Sequence, residues 1–342
     1  MLISAGTIAA VFQGLHARFL RAANNVAVPD SGRLIVADQG VSRDDKYPIT
    51  GLLGDLVPLT DELYYADVYS MVVNARAVDF AMGFRVRQRD LADDRVGVYN
   101  VSVDNLAVLG ATHPFRNIAA TLVAGFTTAW GPEVTTTGAM VYDDGHIWPG
   151  GQVWDNLDNV PLSPAYFDLL CLHLEQRLGP NAQPMGLSPK LLVVGPTLRA
   201  TAESIVLIQH LAGGGDNRRY KRCDLLVLPR IRGNEWFVID DDPYNVAAGP
   251  SMAPIISDVN LPGRGGEKGT EPSPGIKPIL LDVRSALATA SQTAPEADSV
   301  FDRNEYRFNA KITYTLTHIA PWLIQASKGT SEDVTTTTTS GG

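Results

Sequence analysis

The chain has 342 residues, 45% hydrophobic and 19% charged, with a formal net charge of −9 at pH 7. That length buries a substantial core and suggests two domains or one large one, and the acidic balance excludes a protein whose main task is gripping nucleic acid. Two cysteines, Cys171 and Cys223, are too few for a disulfide framework and wrongly spaced for zinc; no apolar run reaches a membrane span, and the amino end lacks a signal-peptide layout. A cytosolic product with buried free thiols is expected.

The amino end, residues 4–25, predicts an amphipathic helix. Ile8, Val11, Phe12, Leu15 and Phe19 fall on one stripe, Ser4 caps it and Asn24–Asn25 end it. From Val26 to Pro48 the polar, turn-rich pattern predicts an extended arm. Residues 62–90 predict a long β-hairpin. On its second limb Val78, Phe80, Met82, Phe84 and Val86 alternate with polar or small residues; ELYYADVYSMVV forms the first limb, and Asn74–Arg76 supply the turn. A two-stranded ribbon is marginal alone in water, so it must lie on another surface, its own body or a neighbour.

A helix is predicted at about 102–129, with Phe115, Ile118, Ala119, Leu122, Val123 and Phe126 on its stripe; Pro114 either kinks it or starts a second segment. Residues 130–151 read as loop and short strand. A helix over 164–178 has Ser163 as cap, Pro164 first, Phe167, Leu170, Cys171, Leu174 and Leu178 buried, and Gly179 as stop. Then follow a buried strand at 190–196, a helix in TLRATAESIVLIQHLA, a mobile GGGDNRRYK loop, and strands in CDLLVLPRI and EWFVIDD. A Pro/Gly-rich insertion occupies 243–275, too long for a routine connection. Strands resume at 275–284 and at 306–316, with PWLIQAS as a possible partner strand, before a Thr-rich, flexible tail. The whole is α+β without a regular βαβ repeat.

Few residues suggest chemistry. Asp143, Asp144 and His146 have a spacing a metal could use, but the set is incomplete and DDG is also ordinary turn chemistry. Cys171 and His173 sit two apart on a helix and so face different ways. His113, before Pro114, reads as structural. GGGDNRR lacks the GK[ST] of a phosphate loop and follows a helix, where such a loop precedes one. IDDDP (239–243) reads as a solvated turn. No GxSxG, HExxH or GxGxxG stands in its required context, so no catalytic residue, cofactor or metal is assigned.

Six segments in order carry a family resemblance: RVRQRDLADDRVGVY, ATHPFRNIAATLVAGF, MVYDDGHIW, LSPKLLVVGPTLRATAESI, EWFVID with GIKPILLDVR, and VFDRNEYRFNAKITY. Together, over roughly residues 4–327, they resemble the Mu-type major head (major capsid) proteins of tailed phages and prophages, with the Hong Kong 97-type capsid fold. The 243–275 insertion and residues 147–162 depart from the family pattern.

The resemblance implies a non-enzymatic subunit that self-assembles into the pentamers and hexamers of an icosahedral shell enclosing double-stranded DNA. It implies an amino-terminal helix and arm (1–50), an extended-loop hairpin (51–98), a peripheral domain with a spine helix (99–184), and an axial domain (185–285) that includes the insertion. Strands returning to the peripheral domain (286–328) and a flexible tail (329–342) complete it. The chain assembles in the host cytoplasm and resides in the virion. Its partners are copies of itself, with portal, scaffold and decoration proteins as further candidates, DNA held as cargo without sequence-specific binding, and no membrane. Tyr64, Tyr65, Tyr69, Arg85, Arg87, Arg89, Asp90, Asp93 and Asp94 are the expected inter-subunit contacts, the arginines pairing with carboxylates within the chain or on the next copy. Two rival readings stand beside this: a nanocompartment shell protein of the same fold holding protein cargo, and a soluble metal-dependent enzyme using His146 with Asp143 and Asp144.

Overall fold

The computed structural model describes residues 5–40, 42, 44–50, 70–92, 97–130, 139–148, 151–180, 182–210, 213–241, 255–256, 277–294, 300 and 304–330. Ser4, Tyr64, Tyr65, Tyr69, Asp93, Asp94, most of the 243–275 insertion and the Thr-rich tail therefore lie outside the described residues.

Two long strands form the backbone of one layer. β12 (Ile279–Gln292) and β13 (Glu305–His318) have 14 residues each and run antiparallel. β1 (Ile35–Asp38) pairs parallel to β12, and β4 (Val78–Arg87) pairs antiparallel to β13, giving the order β1-β12-β13-β4. Helix α3 (Gly97–Ala124) packs against this sheet, and α1 (Ala5–Asn24) packs against α3. At 28 residues, α3 is about 42 Å long. The predicted stripe of α1 is what packs: Phe12, Leu15 and Phe19 are buried with Val103, Leu106, Tyr306 and Phe308. The amino helix thus packs on α3 and on the sheet of its own chain.

The second layer is a five-stranded sheet, ordered β7-β14-β10-β8-β9. Its strands are β7 (Leu157–Asp158), β14 (Ile324–Ser327), β10 (Trp236–Ile239), β8 (Leu191–Val194) and β9 (Asp224–Val227). All four residues of β8, β10 and β14 are buried, which explains their continuous apolar runs. Helices α4 (Pro164–Glu175) and α5 (Arg199–Val206) pack against it. α5 bridges the parallel pair β8 and β9, a single βαβ crossover. Ser163 caps α4 as expected, its hydroxyl accepting from the Tyr166 N–H at 3.3 Å. The helix stops at Glu175, before Leu178, and Leu178 is exposed rather than buried.

Four expectations about pairing and extent need correction. The arm at 26–48 contains β1 and part of β2 (Asp44–Thr50), because apolar Val36 and aromatic Tyr47 are drawn into the main core. In the expected 62–90 hairpin, the described part of the first limb, 70–76, does not pair with the second, and 62–69 lie outside the described residues. β3 (Ser70–Arg76) pairs with β2, and β4 with β13. The chain crosses from β3 to β4 through buried Ala77, and none of residues 74–77 has the positive φ that a tight hairpin turn requires. PWLIQAS pairs with β10 and β7, not with β13, whose edges β12 and β4 already fill. Finally, α3 starts at Gly97 and ends at Ala124, running on through Pro114.

Candidate functional site

Three surface features stand out among the described residues. The first is a ribbon. β2 and β3 pair from Asp44↔Arg76 to Thr50↔Ser70, and β11 (Ile255–Ile256), from within the insertion, adds a third strand against Ile49 and Thr50. Tyr47, Val73 and Ala75 anchor its base in the core. Arg76 and Asp44 lie 3.7 Å apart on the outside, both well exposed.

The second surface is apolar. Beside α3 runs a groove of ≈ 350 Å³ lined by Phe80, Met82, Leu109, His113, Leu287 and Ile312. Met82 is 62% and Val98 69% exposed, and Val78, Val101 and Val108 are exposed as well. Alternation puts Val78 and Met82 on the side of β4 that carries Phe80, Phe84 and Val86, yet both are exposed. Among the described residues β4 is the outer strand of its sheet and no strand pairs with its far edge, the kind of edge that proteins normally cover or blunt. His113 is structural here: Tyr314 Oη and His113 Nδ1 are 2.8 Å apart, and Phe80 lies against the imidazole. Burial lowers the pKa of His113.

The arginine-rich stretch borders this face. Arg85 and Arg87 share a side of β4, but the strand ends there; Arg89 belongs to the short helix α2 (Gln88–Ala92) and not to the strand row. Arg85 Nη1 is 3.6 Å from Glu305 Oε2, and Arg89 Nε is 3.8 Å from Asp90 Oδ1. Asp90 accepts a 2.5 Å hydrogen bond from Tyr99 Oη, while the Arg87 side chain is exposed. Asp104 belongs elsewhere, receiving Nε and Nη2 of Arg18 at 2.7 and 2.5 Å, which ties α1 to α3.

The third feature lies where β1 leads toward the ribbon. Asp282 sits opposite Asp38 in the β1–β12 ladder, and Asp45 converges on the same loop at Gly40. Burial and the Asp45 and Asp38 charges push the Asp282 carboxyl up to about 6. Burial, with the same carboxylates nearby, raises the Tyr47 hydroxyl. No motif search would find this group, but an aspartate inside the apolar run ILLDV marks a buried carboxylate.

The residues considered for chemistry are committed to structure. His146 is buried and stacked on Trp154, with Nε2 3.2 Å from both Val141 O and Asn156 Oδ1; burial lowers its pKa. Asp143 Oδ2 accepts from the Met140 N–H, and among the described residues no group of three His, Cys, Asp or Glu is placed to hold a metal. Cys171 and Cys223 are buried free thiols, each pushed up by burial to about 12. Of the IDDDP carboxylates, the described Asp240 and Asp241 are not in a solvated turn, and Asp242 lies outside the described residues. Asp240 pairs with Lys190 at 3.1 Å and Asp241 with Arg33 at 2.9 Å, both aspartates buried, because they close the end of β10 against neighbouring strands. The GGGDNRRYK loop is anchored by its second half. Burial works against ionised Asp168, yet hydrogen bonds from Arg219 and Arg218, with Arg222 at 3.2 Å, hold its carboxyl below the usual range.

Comparison with known proteins fits this architecture. The chain matches the family model for the Mu-like prophage major head subunit gpT over residues 8–137 and 162–231, more than half its length. No curated protein sequence matches it. Among solved structures, the bacteriophage JBD30 capsid is similar at a TM-score of 0.50 and 16% identity, covering 59% of this chain and 90% of that one. The procapsid of bacteriophage JBD30 is similar at 0.52 and 15%, covering 96% and 77%. At such identities the likeness speaks for the fold.

Proposed function

The chain belongs to the Mu-like prophage major head subunit family, and from that premise we propose how a major capsid protein with this surface builds its shell. Copies meet head to tail in closed rings of five and six, which together form an icosahedral wall around double-stranded DNA. The ribbon of β2, β3 and β11 from one copy lies over the apolar face between α3 and β4 of the next. The observation that carries this reading is that face: exposed Val78, Met82, Val98 and Val101, with a β4 edge that no described strand pairs. A contiguous apolar patch rimmed by charge is the signature of a protein interface.

Within this reading the sheet β1-β12-β13-β4 with α1 and α3 is the peripheral domain, and α3 its spine. The five-stranded sheet is the axial domain, which extends the expected 185–285 segment to include β7 and β14. Arg85, Arg87, Arg89 and Asp90, at the border of the face, set the register between copies, since rim charges orient more than they stabilise. The family is structural, and no enzymatic step is part of the proposal. Assembly in the host cytoplasm, and help from portal, scaffold and decoration proteins, belong to the same proposal. The formal charge of −9 suits a wall that holds DNA without sticking to it.

Expression of the full chain followed by size-exclusion chromatography and electron microscopy tests this. Megadalton shells carrying nuclease-protected DNA in a phage context are expected. A stable monomer or dimer at all concentrations contradicts it, and shells that hold only protein cargo favour a nanocompartment.

A further inference from the structure

Two exposed patches in the layer of the five-stranded sheet join apolar side chains to charges of opposite sign. The first is a short hairpin, β5 (His146–Ile147) and β6 (Val153–Trp154), which leads through Asn156 into β7. His146 and Trp154, paired across it, are buried. The other pair, Ile147 and Val153, stands outward, 40% and 62% exposed. Asp144, before β5, and Asp155, after β6, are exposed as well. Two cations lie near: buried Arg177 donates to the Asp155 carbonyl at 2.8 Å, and the N–H of exposed Lys328 donates to Asp158 O at 3.2 Å. Asp143, Asp144, Asp155 and Asp158 outnumber them, so this end of the sheet is acidic.

The second patch lies in the segment between α5 and β9. Leu207 and Ile208, just past α5, are 51% and 47% exposed. The loop before β9 returns onto them: Asn217 Nδ2 donates to Ile208 O at 2.7 Å, and the Lys221 N–H donates to Val206 O at 2.9 Å. That brings Arg218, Arg219, Lys221 and Arg222 beside the apolar pair. Asp168 takes Arg218, Arg219 and Arg222, and Arg222 also reaches Glu175 at 3.1 Å. Asp216 lies 3.0 Å from His210. The four cations outnumber Asp168, Glu175 and Asp216, so this patch is positive within a chain of formal charge −9. Arg218, its side chain 79% exposed, carries that charge furthest outward.

We propose that these two patches meet between adjacent copies of the ring. Ile147 and Val153 of one copy pack on Leu207 and Ile208 of the next, while Asp144 and Asp155 face Arg218 and Lys221. A ring closed head to tail needs two different surfaces on one chain that complement each other, whereas a surface matching itself stops at a dimer. The placement suits a ring: the hairpin adjoins β7 and the loop enters β9, the two outer strands of this sheet among the described residues. The apolar centre supplies burial, and the opposite charges fix the register, because the reversed docking would set like charges against each other. This pairing rests on the reading of the chain as a shell subunit and adds to the ribbon contact a second one made by the axial domain.

Paired cysteines in particles of the full-length chain test it. Val153→Cys combined with Ile208→Cys, oxidised with diamide after assembly, should give a reducible ladder of linked copies on a denaturing gel. Each single variant should run as one unlinked chain, since Cys171 and Cys223 are buried. Charge reversal is the second measurement: Arg218→Glu and Asp155→Arg should each lower particle yield about tenfold, and the double variant should restore most of it. The urea midpoint of the unassembled chain controls for folding; where a reversal lowers it, the cysteine pair, at two exposed positions, decides. Particles without the ladder, or the same ladder from a single variant, overturn the pairing and leave the shell reading standing. So do folded reversal variants that assemble like wild type, or a folded double variant no better than the singles. A wild-type chain that forms no particle overturns the shell reading itself, and the pairing with it.

Discussion

Arg87 lies directly opposite Glu305 in the ladder between β4 and β13, and Arg85 reaches that same glutamate at 3.6 Å. The arginine row that reads as the exit of a hairpin is therefore the rim of a four-stranded sheet. No described strand pairs with its far edge, and the Arg87 side chain stands in solvent. Arg85 and Arg87 thus stand at the end of β4, on the edge of the body.

Arg87→Ala should accordingly separate assembly from folding. An exposed side chain away from caps and cores changes stability by only about 0.5 kcal/mol. The yield of closed particles should fall several-fold while the urea midpoint of the unassembled chain stays where it was. Unchanged particle yield would remove Arg87 from the contact surface.

Arg177 should matter in the opposite way. Its buried guanidinium donates to the carbonyls of Trp322, Ile324 (3.1 Å) and Asp155 (2.8 Å) and to the Gln325 side chain, and it lies 5.5 Å over the Trp154 ring. Burial lowers its pKa to about 10, so it remains charged at neutral pH. Arg177→Met leaves several buried acceptors unpaired, at a cost of about 3 kcal/mol or more. Chemical denaturation should show that loss before any assembly defect is measured.

Gly329 should tolerate no side chain. Its φ is +71°, and an added Cβ would collide with the backbone carbonyl of Asn234. Gly329→Ala combines left-handed strain with a backbone clash and should cost about 1–3 kcal/mol. A denaturation midpoint equal to wild type would contradict the placement of the chain just after β14.

Stability should have two pH limbs of opposite sign. Burial depresses His318 to about 4, with Tyr142 Oη 3.2 Å from its Nε2. A depressed histidine favours the native state above its unfolded pKa of about 6.5, and that contribution is lost as pH falls toward 4. Asp282 is raised, so its favourable state is the protonated one: stability is fully present below about pH 4 and lost as pH rises through about 6. His318→Gln should flatten the acid limb alone, and Asp282→Asn the upper limb alone, in denaturant titrations from about pH 4 to about pH 8. Identical pH profiles in wild type and both variants would contradict this assignment.

Local signals read well from the sequence, and long-range pairings less so. Ser163 and Pro164 announced α4, the stripe of Phe12, Leu15 and Phe19 announced the buried face of α1, and alternation announced β4 and β13. What alternation cannot supply is a partner. β4 had two plausible neighbours in sequence order, and the distant one prevailed because Phe308, Ala310 and Ile312 on β13 give its apolar residues a core. Arg177 and Asp282 look unremarkable as letters. Their importance comes from burial among groups more than a hundred residues away, which only the assembled fold reveals.

The most direct test is an icosahedral reconstruction of particles assembled from this chain, at a resolution that traces strands β2 and β3. The account predicts continuous density carrying the ribbon from its own Gly40 loop onto the α3–β4 face of an adjacent copy. A ribbon folded back on its own body with that apolar face open to solvent, or no particle at all, would contradict it.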